Sequence, residues 1–386
     1  MDLKILHIAD NHLAVSQYGD MRRGVDRFKA VLDSIRIAKE KNITAIINGG
    51  DLLDKRTLDS VVDDQLENID QALFEAGITM WVVSGNHDLS NPSWVRQIEK
   101  RRARHGIPAS APGIKSMDYQ LVDIDGCRFY GLPTMAALEL RAIFASDSIP
   151  ECDVVVWHGA VQEFTGFPDP NDIRAEEFPT HRLKAVLLGD QHICKYIYQG
   201  RCLVGYPGST EICNSAEPLL KTASVIQITD EVAQVLSYEP LRTRKALGWR
   251  LMTEAHMEKA IQDLEALRGT PLLLFVRYSD RLEKVTSRLA RCFNPDDVIM
   301  RAEDEPTPSL MMVNLIGSAD KASQITPEEM PGLPELPPMR ILTEIFADDP
   351  PLASLCDLLT NPQEKPAIAL AAWASRELEA AATRHL

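Results

Sequence analysis

The chain has 386 residues, enough for two or three domains, and its 45% hydrophobic and 25% charged content is that of an ordinary globular protein. A formal net charge of −15 argues against coating nucleic acid by bulk attraction, yet residues 301–386 hold 14 acidic and 6 basic groups, so a nucleic-acid substrate is not excluded for the rest. No window approaches the roughly 18 apolar residues of a membrane span, and seven scattered cysteines without a CxxC pair point to reduced thiols in a cytoplasm.

Met1 leads through Asp2 and Lys4 directly into an apolar run, so no signal peptide is expected. Residues 1 to about 228 alternate strand and helix patterns. A strand predicted at 5–9 exits into Asp10-Asn11-His12, and the helix after it carries Val25, Phe28, Val31, Leu32 and Ile35 on one face. The run at 43–47 reads as a buried parallel strand. It ends in Asn48-Gly49-Gly50-Asp51-Leu52-Leu53-Asp54, where two glycines permit a tight turn. Asp51 is thereby expected in the crevice at the strand's carboxyl end, where open α/β sheets bind ligands. A helix with Val62, Leu66, Ile69 and Leu73 stops near Gly77, and a strand at 79–83 leads into Gly85-Asn86-His87-Asp88.

The middle of the chain shifts toward antiparallel patterns. A hairpin at 120–130 turns on Asp125-Gly126. Strands at 152–157 and 185–188 run into His158-Gly159 and Gly189-Asp190-Gln191-His192. A second hairpin at 195–204 precedes Tyr206-Pro207-Gly208-Ser209, and strands at 223–228 and 232–237 are expected to close a second sheet. Two sheets face to face with helices outside fit this order. A βαβ-like cap follows: a helix with Met257, Ile261, Leu264 and Leu267, a strand at 272–276, a helix with Leu282, Val285 and Leu289, and a strand at 298–300. Pro327, Pro331, Pro334, Pro337 and Pro338 mark a linker, after which helical patterns lie at 341–346, 352–359 and 367–382.

Each polar cluster has a structural explanation when taken singly: a helix cap at 10–12, turn formers at Asn86 and Asp88, a core imidazole at His158. Together, five clusters directly after apolar strands supply carboxylate, amide and imidazole and almost nothing else. Mixed oxygen and nitrogen donors without thiolate suit Mn, Fe, Zn or Mg rather than a structural zinc site.

The order D-x-H, G-D-x-x-D, G-N-H-D, H-G and G-x-x-H, over residues 5 to about 210, resembles the calcineurin-like metallophosphoesterases. The blocks Ile8-Ala9-Asp10-Asn11-His12-Leu13 and Tyr206-Pro207-Gly208-Ser209, with the cap and the terminal helices, look like the SbcD-type DNA repair exonuclease subunits, including those of large phages. The resemblance implies an α/β fold: a four-layer α-β-β-α metallophosphoesterase sandwich over 1–238 and a small α/β cap for DNA recognition over 239–305. A Pro-rich linker over 306–340 and C-terminal helices over 341–386, docking on an SbcC-type coiled-coil ATPase, would complete the chain. It further implies a homodimer without membrane contact, in the cytoplasm of a bacterial or phage-infected cell. The activity implied is that of a two-metal DNA exonuclease/endonuclease in end processing, repair and recombination.

The same resemblance implies two divalent ions, Mn²⁺ with Mg²⁺ as the alternative. Asp10, His12, Asp51 and His192 would hold one, and Asp51, Asn86, His158 and Asp190 the other. A shared carboxylate can keep two cations about 3.5–4 Å apart, close enough to clamp one phosphate. His87 would bind neither ion and would stabilise the transition state or protonate the leaving oxygen. Asp88 is expected to orient His87, and Asp54 to stand behind the ligands, where some relatives carry a catalytic His. The family's last motif is usually G-H-x-H, and Asp190 replaces its first His here. That carboxylate adds negative charge, which favours Mn or Mg over zinc.

Arg22, Arg23, Lys55 and Arg56 flank the first two motifs, and Arg96, Lys100, Arg101, Arg102 and Arg104 follow the third; all are expected DNA-backbone contacts, against the plainer reading of solvated helix faces. Arg242, Arg244, Lys245 and Arg250 form another basic group at the cap entrance. Two rival functions use the same residues: a small-molecule phosphodiesterase, and a non-catalytic subunit that binds DNA ends.

Overall fold

The computed structural model describes residues 2–304, apart from residues 18, 55–59, 89–93, 147, 166–171, 252, 279–286, 290 and 295. Lys55 and Arg56, most of the second cap helix, the linker at 306–340 and the helices at 341–386 lie outside the described residues.

The first half follows the predicted alternation: β1 (Asp2–Ile8), α1 (Met21–Glu40), β2 (Ala45–Asn48), α2 (Ser60–Ala76) and β3 (Thr79–Val82). It continues through α3 (Trp94–Arg104) and β4 (Gly113–Ser116). Strands β1, β2, β3 and β4 pair in parallel in that order. Then come β5 (Leu121–Ile124), β6 (Cys127–Leu132), α4 (Ala137–Ala145), β7 (Val154–His158), β8 (Ala185–Gly189), β9 (Cys194–Gln199) and β10 (Cys202–Pro207). These strands form a second six-stranded sheet in the order β5-β6-β7-β8-β10-β9, parallel in its middle and antiparallel at both edges.

Strands β11 (Thr222–Thr229) and β12 (Ala233–Pro240) belong to the first sheet, not the second as expected. β11 runs antiparallel to β1, with Leu3 opposite Ile228 and Ile5 opposite Ile226. The chain therefore crosses back after the second sheet to extend the edge of the first. A hydrophobic pattern carries each strand's inward face but not the edge on which it docks.

Side-chain alternation builds the layers. Leu6, Ile8 and Ile46 point away from the second sheet, onto Val31, Ile35, Leu66, Ile69 and Leu73 of α1 and α2. Leu3, Ile5 and Ile47 point the other way and meet Phe129, Val154, Val156 and Leu187 of the second sheet. The outer face of that sheet, with Val155, Trp157, Val186 and Leu188, is covered by Leu140 of α4 and by Phe164 and Phe178. Both sheets are thus apolar on both faces, which is why β7 and β8 read as unbroken hydrophobic runs.

On α1 the predicted apolar stripe is only partly buried: Val31 and Ile35 are in the core, whereas Val25 is 45% exposed. The buried positions near the start of the helix are Arg23 and Arg27 instead. They lie at four-residue steps from Val31, on the same face.

Arg102 of α3 is also buried, with a two-pronged bond to Asp70 of α2 (Nε to Oδ2 2.7 Å, Nη2 to Oδ1 2.8 Å). Asp70 Oδ1 accepts from Ile114 N as well, at 2.8 Å. Arg102 therefore locks two helices to β4 and is withdrawn from the expected DNA contacts. Arg101 is paired with Asp63, while Lys100 and Arg104 stand on the exposed face of α3.

After the first sheet closes, a third, three-stranded sheet follows from β13 (Lys245–Leu251), β14 (Leu272–Tyr278) and β15 (Val298–Asp304), in that order. β13 and β14 pair in parallel around α5 (Glu254–Ala266), completing a βαβ unit whose first strand the sequence reading lacked. Met257, Leu264, Leu272, Leu274 and Val276 form its core. Among the described residues no helix is long and apolar enough to cross a membrane.

His7 on β1 is fully buried between the sheets, with Nδ1 2.8 Å from Tyr196 Oη, and burial holds its pKa down to about 3. The imidazole stays neutral in the fold but takes a proton near pH 6.5 once unfolded. Its contribution is therefore complete above pH 6.5 and is lost as pH falls toward 3, at up to about 1.4 kcal/mol per pH unit. Denaturant melts in chelator should lose about 2 kcal/mol from this residue between pH 8 and 5. His7→Asn should flatten that part of the profile; a wild-type slope in the variant would remove His7 from the account.

Candidate metal centre

The carboxyl ends of the parallel strands from both sheets meet at one edge of the molecule. β1 delivers Asp10 and His12, β2 Asp51, β3 Asn86 and His87, β7 His158, and β8 Asp190 and His192. Beyond the strands the backbones stay paired: Asp10 N donates to Gly50 O at 2.9 Å, and His12 N to Asp51 O at 2.9 Å. Asp10, His12, Asp51 and Asp190 all have left-handed φ, at 52°, 49°, 52° and 106°. Such backbone costs about 1–3 kcal/mol per residue outside glycine and gathers where a structure has a use for it. Gly50, with φ 109°, could carry no side chain: a Cβ would stand 2.5 Å from His158 Nδ1. At Gly85 a Cβ would overlap the Asp51 carboxylate.

His158 is fully buried, and its Nδ1 lies 2.9 Å from Gly49 O. A carbonyl only accepts, so Nδ1 carries a proton and Nε2 faces the cluster. That Nε2 lies 3.1 Å from Asn86 Oδ1, 3.5 Å from Asp51 Oδ2 and 3.9 Å from Asp190 Oδ1. On the other side of Asp51, Oδ2 is 3.9 Å from His12 Nε2, which is 3.2 Å from His192 Nε2. Asp10 accepts from Asp190 N at 3.0 and 3.2 Å. Asp51 thus stands between two groups of donors, and the structure brings all seven expected ligands together.

The charges are poorly balanced without a cation. Burial raises the Asp10 carboxyl to about 6 and depresses His12 to about 3. At His158 burial works against the charged ring, but Asp51, Asp10 and Asp190 outweigh it and hold the pKa up to about 9. At His192 burial is likewise overcome, by Cys213, Glu217 and Asp10, and the pKa rises to about 11. Crowded carboxylates here take up positive charge on imidazole. A divalent ion supplies the same charge with better geometry, so the oxygen and nitrogen donors fit hard or borderline cations.

His87 lies at the mouth, its side chain 40% exposed. Its Nδ1 donates to Asp54 O at 2.8 Å, its backbone N–H to Asp51 Oδ1 at 2.9 Å, and Nε2 stands 4.0 Å from Asp51 Oδ2. Asp88 does not orient this ring. It is buried, accepting from Leu53 N at 2.8 Å and from Leu52 N and Gly85 N at 3.2 and 3.0 Å. Its role is to clamp the Asp51 loop to the His87 loop, a correction that follows from three inward amides competing for one carboxylate. Asp54 orients His87 through its carbonyl, and its Oδ1 lies 3.5 Å from His12 Nδ1 and 3.3 Å from Arg27 Nη1.

Two further expected DNA contacts have structural work. Arg23 is fully buried, bonding Asp26 at 3.0 Å, Glu211 at 3.4 Å and Ile212 O at 2.6 Å. It offers nothing to a DNA backbone. Arg22 bonds Asp20 and reaches Asp296 O at 2.8 Å and Val298 O at 3.2 Å, tying α1 to the third sheet.

Sequence reasoning missed Arg27, which donates to His12 O at 2.7 Å, although an arginine in phase with Val31 and Ile35 signals a buried partner. It also missed Glu217, which no pattern in residues 209–221 reveals. That buried carboxylate lies 2.7 Å from His192 Nδ1 and accepts from Lys221 Nζ at 2.6 Å, Cys213 N at 3.0 Å and Ser209 Oγ at 3.1 Å. Such partners fix the ring and raise the basicity of the opposite nitrogen. Glu217→Ala should weaken binding of Mn²⁺ by roughly 10–100-fold in a calorimetric titration. Unchanged affinity would leave Glu217 a purely structural group.

The donors open onto a cleft of about 480 Å³. Residues 3–194 match the family model described as calcineurin-like phosphoesterase. The chain is 28% identical over 249 residues to the DNA double-strand break repair protein Mre11 of Methanosarcina mazei, covering 64% of this chain and 39% of that protein. It is 30% identical over 135 residues to exonuclease subunit 1 of Enterobacteria phage T4, covering 34% of this chain and 38% of that protein. Both matches span about two fifths of the relatives' own length. Among solved structures, TT1561 of Thermus thermophilus aligns with a TM-score of 0.42 at 14% identity, over 61% of this chain and 98% of that one.

Proposed function

The chain belongs to the calcineurin-like metallophosphoesterases, hydrolases of phosphoester bonds, and on that premise we propose that it is a two-metal DNA nuclease acting at DNA ends in repair and recombination. The observation that carries the chemistry is Asp51, set between His12 and His192 on one side and His158, Asn86 and Asp190 on the other. In this reading Asp10, His12, Asp51 and His192 hold one Mn²⁺, and Asp51, Asn86, His158 and Asp190 the second. When bound, the two ions activate a water and neutralise charge on the phosphate. As the imidazolium, His87 would give its Nε2 proton to the leaving oxygen, while Asp54 O keeps the Nδ1 proton in place. The substrate class comes from the similarity to double-strand-break repair and exonuclease proteins.

The nuclease domain is proposed as 1–238 with a four-layer α-β-β-α arrangement, the cap as 239–305, the linker as 306–340, and 341–386 as the segment that docks an SbcC-type ATPase. Homodimerisation and an intracellular setting belong to the same proposal. Lys100 and Arg104, exposed on α3, remain as DNA-backbone contacts.

The test is cleavage of linear duplex and single-stranded DNA with Mn²⁺, with Mg²⁺ and with chelator. Cleavage that requires Mn²⁺ or Mg²⁺ is the expected result. Hydrolysis of a small phosphodiester with no action on either DNA would replace the proposal with a small-molecule phosphodiesterase.

A further inference from the structure

One soft donor stands among the hard ones. The Sγ of Cys213 and one nitrogen each of His12 and His192 lie within 4.8 Å of one another. The two imidazoles already converge, Nε2 to Nε2, at 3.2 Å. Cys213 is half-buried and lines the same cleft as both rings. Sulfur was absent from the donors expected of the strand-end clusters, since it arrives from the loop after β10.

That loop is held in place from several directions. Cys213 N donates to Glu217 Oε2 at 3.0 Å, and Gln17 Nε2 donates to Cys213 O at 2.7 Å. Its neighbour Ile212 is fully buried, packed with Ala246, Leu273, Phe275 and Ile299 of the third sheet. Arg23 donates to Ile212 O, and Glu217 in turn binds the far nitrogen of His192. The sulfur and the two rings therefore belong to one braced unit. Around Sγ itself, Glu211 O lies at 3.5 Å and Arg27 Nη2 at 3.8 Å, so a positive charge sits beside the sulfur.

We propose that Cys213 is a metal ligand, and that His12, His192 and Cys213 form a nitrogen–nitrogen–sulfur set that takes a thiophilic divalent cation, zinc above all. The proposal rests on the two-metal reading, because it uses two of that reading's ligands. Carboxylate oxygens suit Mn²⁺ and Mg²⁺, whereas thiolate sulfur and imidazole suit Zn²⁺ and Co²⁺. The centre thus offers His12 and His192 two ways to complete a shell: with Asp10 and Asp51 around a hard ion, or with Cys213 around a soft one. Binding in the second way breaks the Cys213 S–H bond and releases its proton to solvent. The sulfur lone pair goes to the cation, and nothing is oxidised or reduced. Asp190 pulls the neighbouring position toward hard ions, so the two positions differ in metal preference.

Cobalt substitution of the full chain tests this without measuring activity. Co²⁺-loaded wild type should show visible d–d bands together with a near-ultraviolet sulfur-to-cobalt charge-transfer band. In Cys213→Ser the d–d bands should remain and the charge-transfer band should vanish. The variant should also bind Zn²⁺ more weakly by roughly 100-fold or more, beyond the ~10–100-fold typical of losing an outer partner. Its Mn²⁺ affinity should stay as in wild type, which also reports that it has folded. Wild-type d–d bands without charge transfer, or a charge-transfer band that survives in Cys213→Ser, would overturn the sulfur ligand and leave the metal centre standing. Absence of both bands, with no bound Co²⁺, would overturn the metal centre and this proposal with it.

Discussion

Asp51→Asn is expected to empty the centre of Mn²⁺ and to lower phosphodiester hydrolysis by roughly 10²–10³-fold or more, the scale on which loss of a preorganised electrostatic group is felt. Asp51 is almost wholly buried, and its Oδ2 faces three imidazoles: His158 at 3.5 Å, His12 at 3.9 Å and His87 at 4.0 Å. Its other oxygen accepts the His87 backbone N–H at 2.9 Å. Both proposed ligand sets lose their common member when the charge is removed. Asparagine is the informative replacement because residue 51 has φ 52°, a conformation that Asn and Asp tolerate and alanine does not. The amide keeps shape and backbone while deleting charge. Elemental analysis of metal per chain, beside a thermal melt, separates loss of metal from loss of fold. Full Mn²⁺ occupancy with wild-type turnover would show that Asp51 is not the shared ligand.

His87→Ala should act differently, lowering turnover on DNA by about 10²–10⁴-fold while leaving metal content unchanged. The ring meets the cluster through the 4.0 Å approach of Nε2 to Asp51 Oδ2 and an edge-on contact with His12, ring centroids 4.9 Å apart, and Asp54 O fixes its orientation by accepting from Nδ1. If Nε2 gives its proton to the leaving oxygen, the loss must depend on how much that oxygen needs one. A nitrophenyl phosphodiester, whose leaving group departs without protonation, should lose much less than DNA does. Equal losses on both substrates would assign His87 to positioning or charge stabilisation instead of proton transfer.

Much of the site was legible because strand-end chemistry is local. Asp10, His12, Asp51, Asn86, His158, Asp190 and His192 each sit within four residues of an apolar run, and parallel strands must end on the same edge of their sheet. What was not legible came from contacts made across long stretches of chain. Asp88 was expected to serve His87 because the two are adjacent, yet its oxygens are taken by the amides of Leu52, Leu53 and Gly85. Arg23 and Arg102 looked like DNA contacts because basic residues are usually solvated, but Glu211 and Asp70 bury them as ion pairs. A buried pair of this kind is invisible until both partners are placed, since either charge alone belongs on the surface.

The sequence by itself determined the strand–helix alternation, the faces each strand buries and the donors at each strand's exit, because all three depend on spacing of a few residues along one chain. Only the tertiary structure decided that β11 and β12 extend the first sheet rather than the second, since backbone hydrogen bonding to β1 is indifferent to the side chains that periodicity reports. It alone brought Glu217 to His192 and Cys213 beside the paired imidazoles, because a loop's position is set by where its anchors pack, and Ile212 packs on the third sheet.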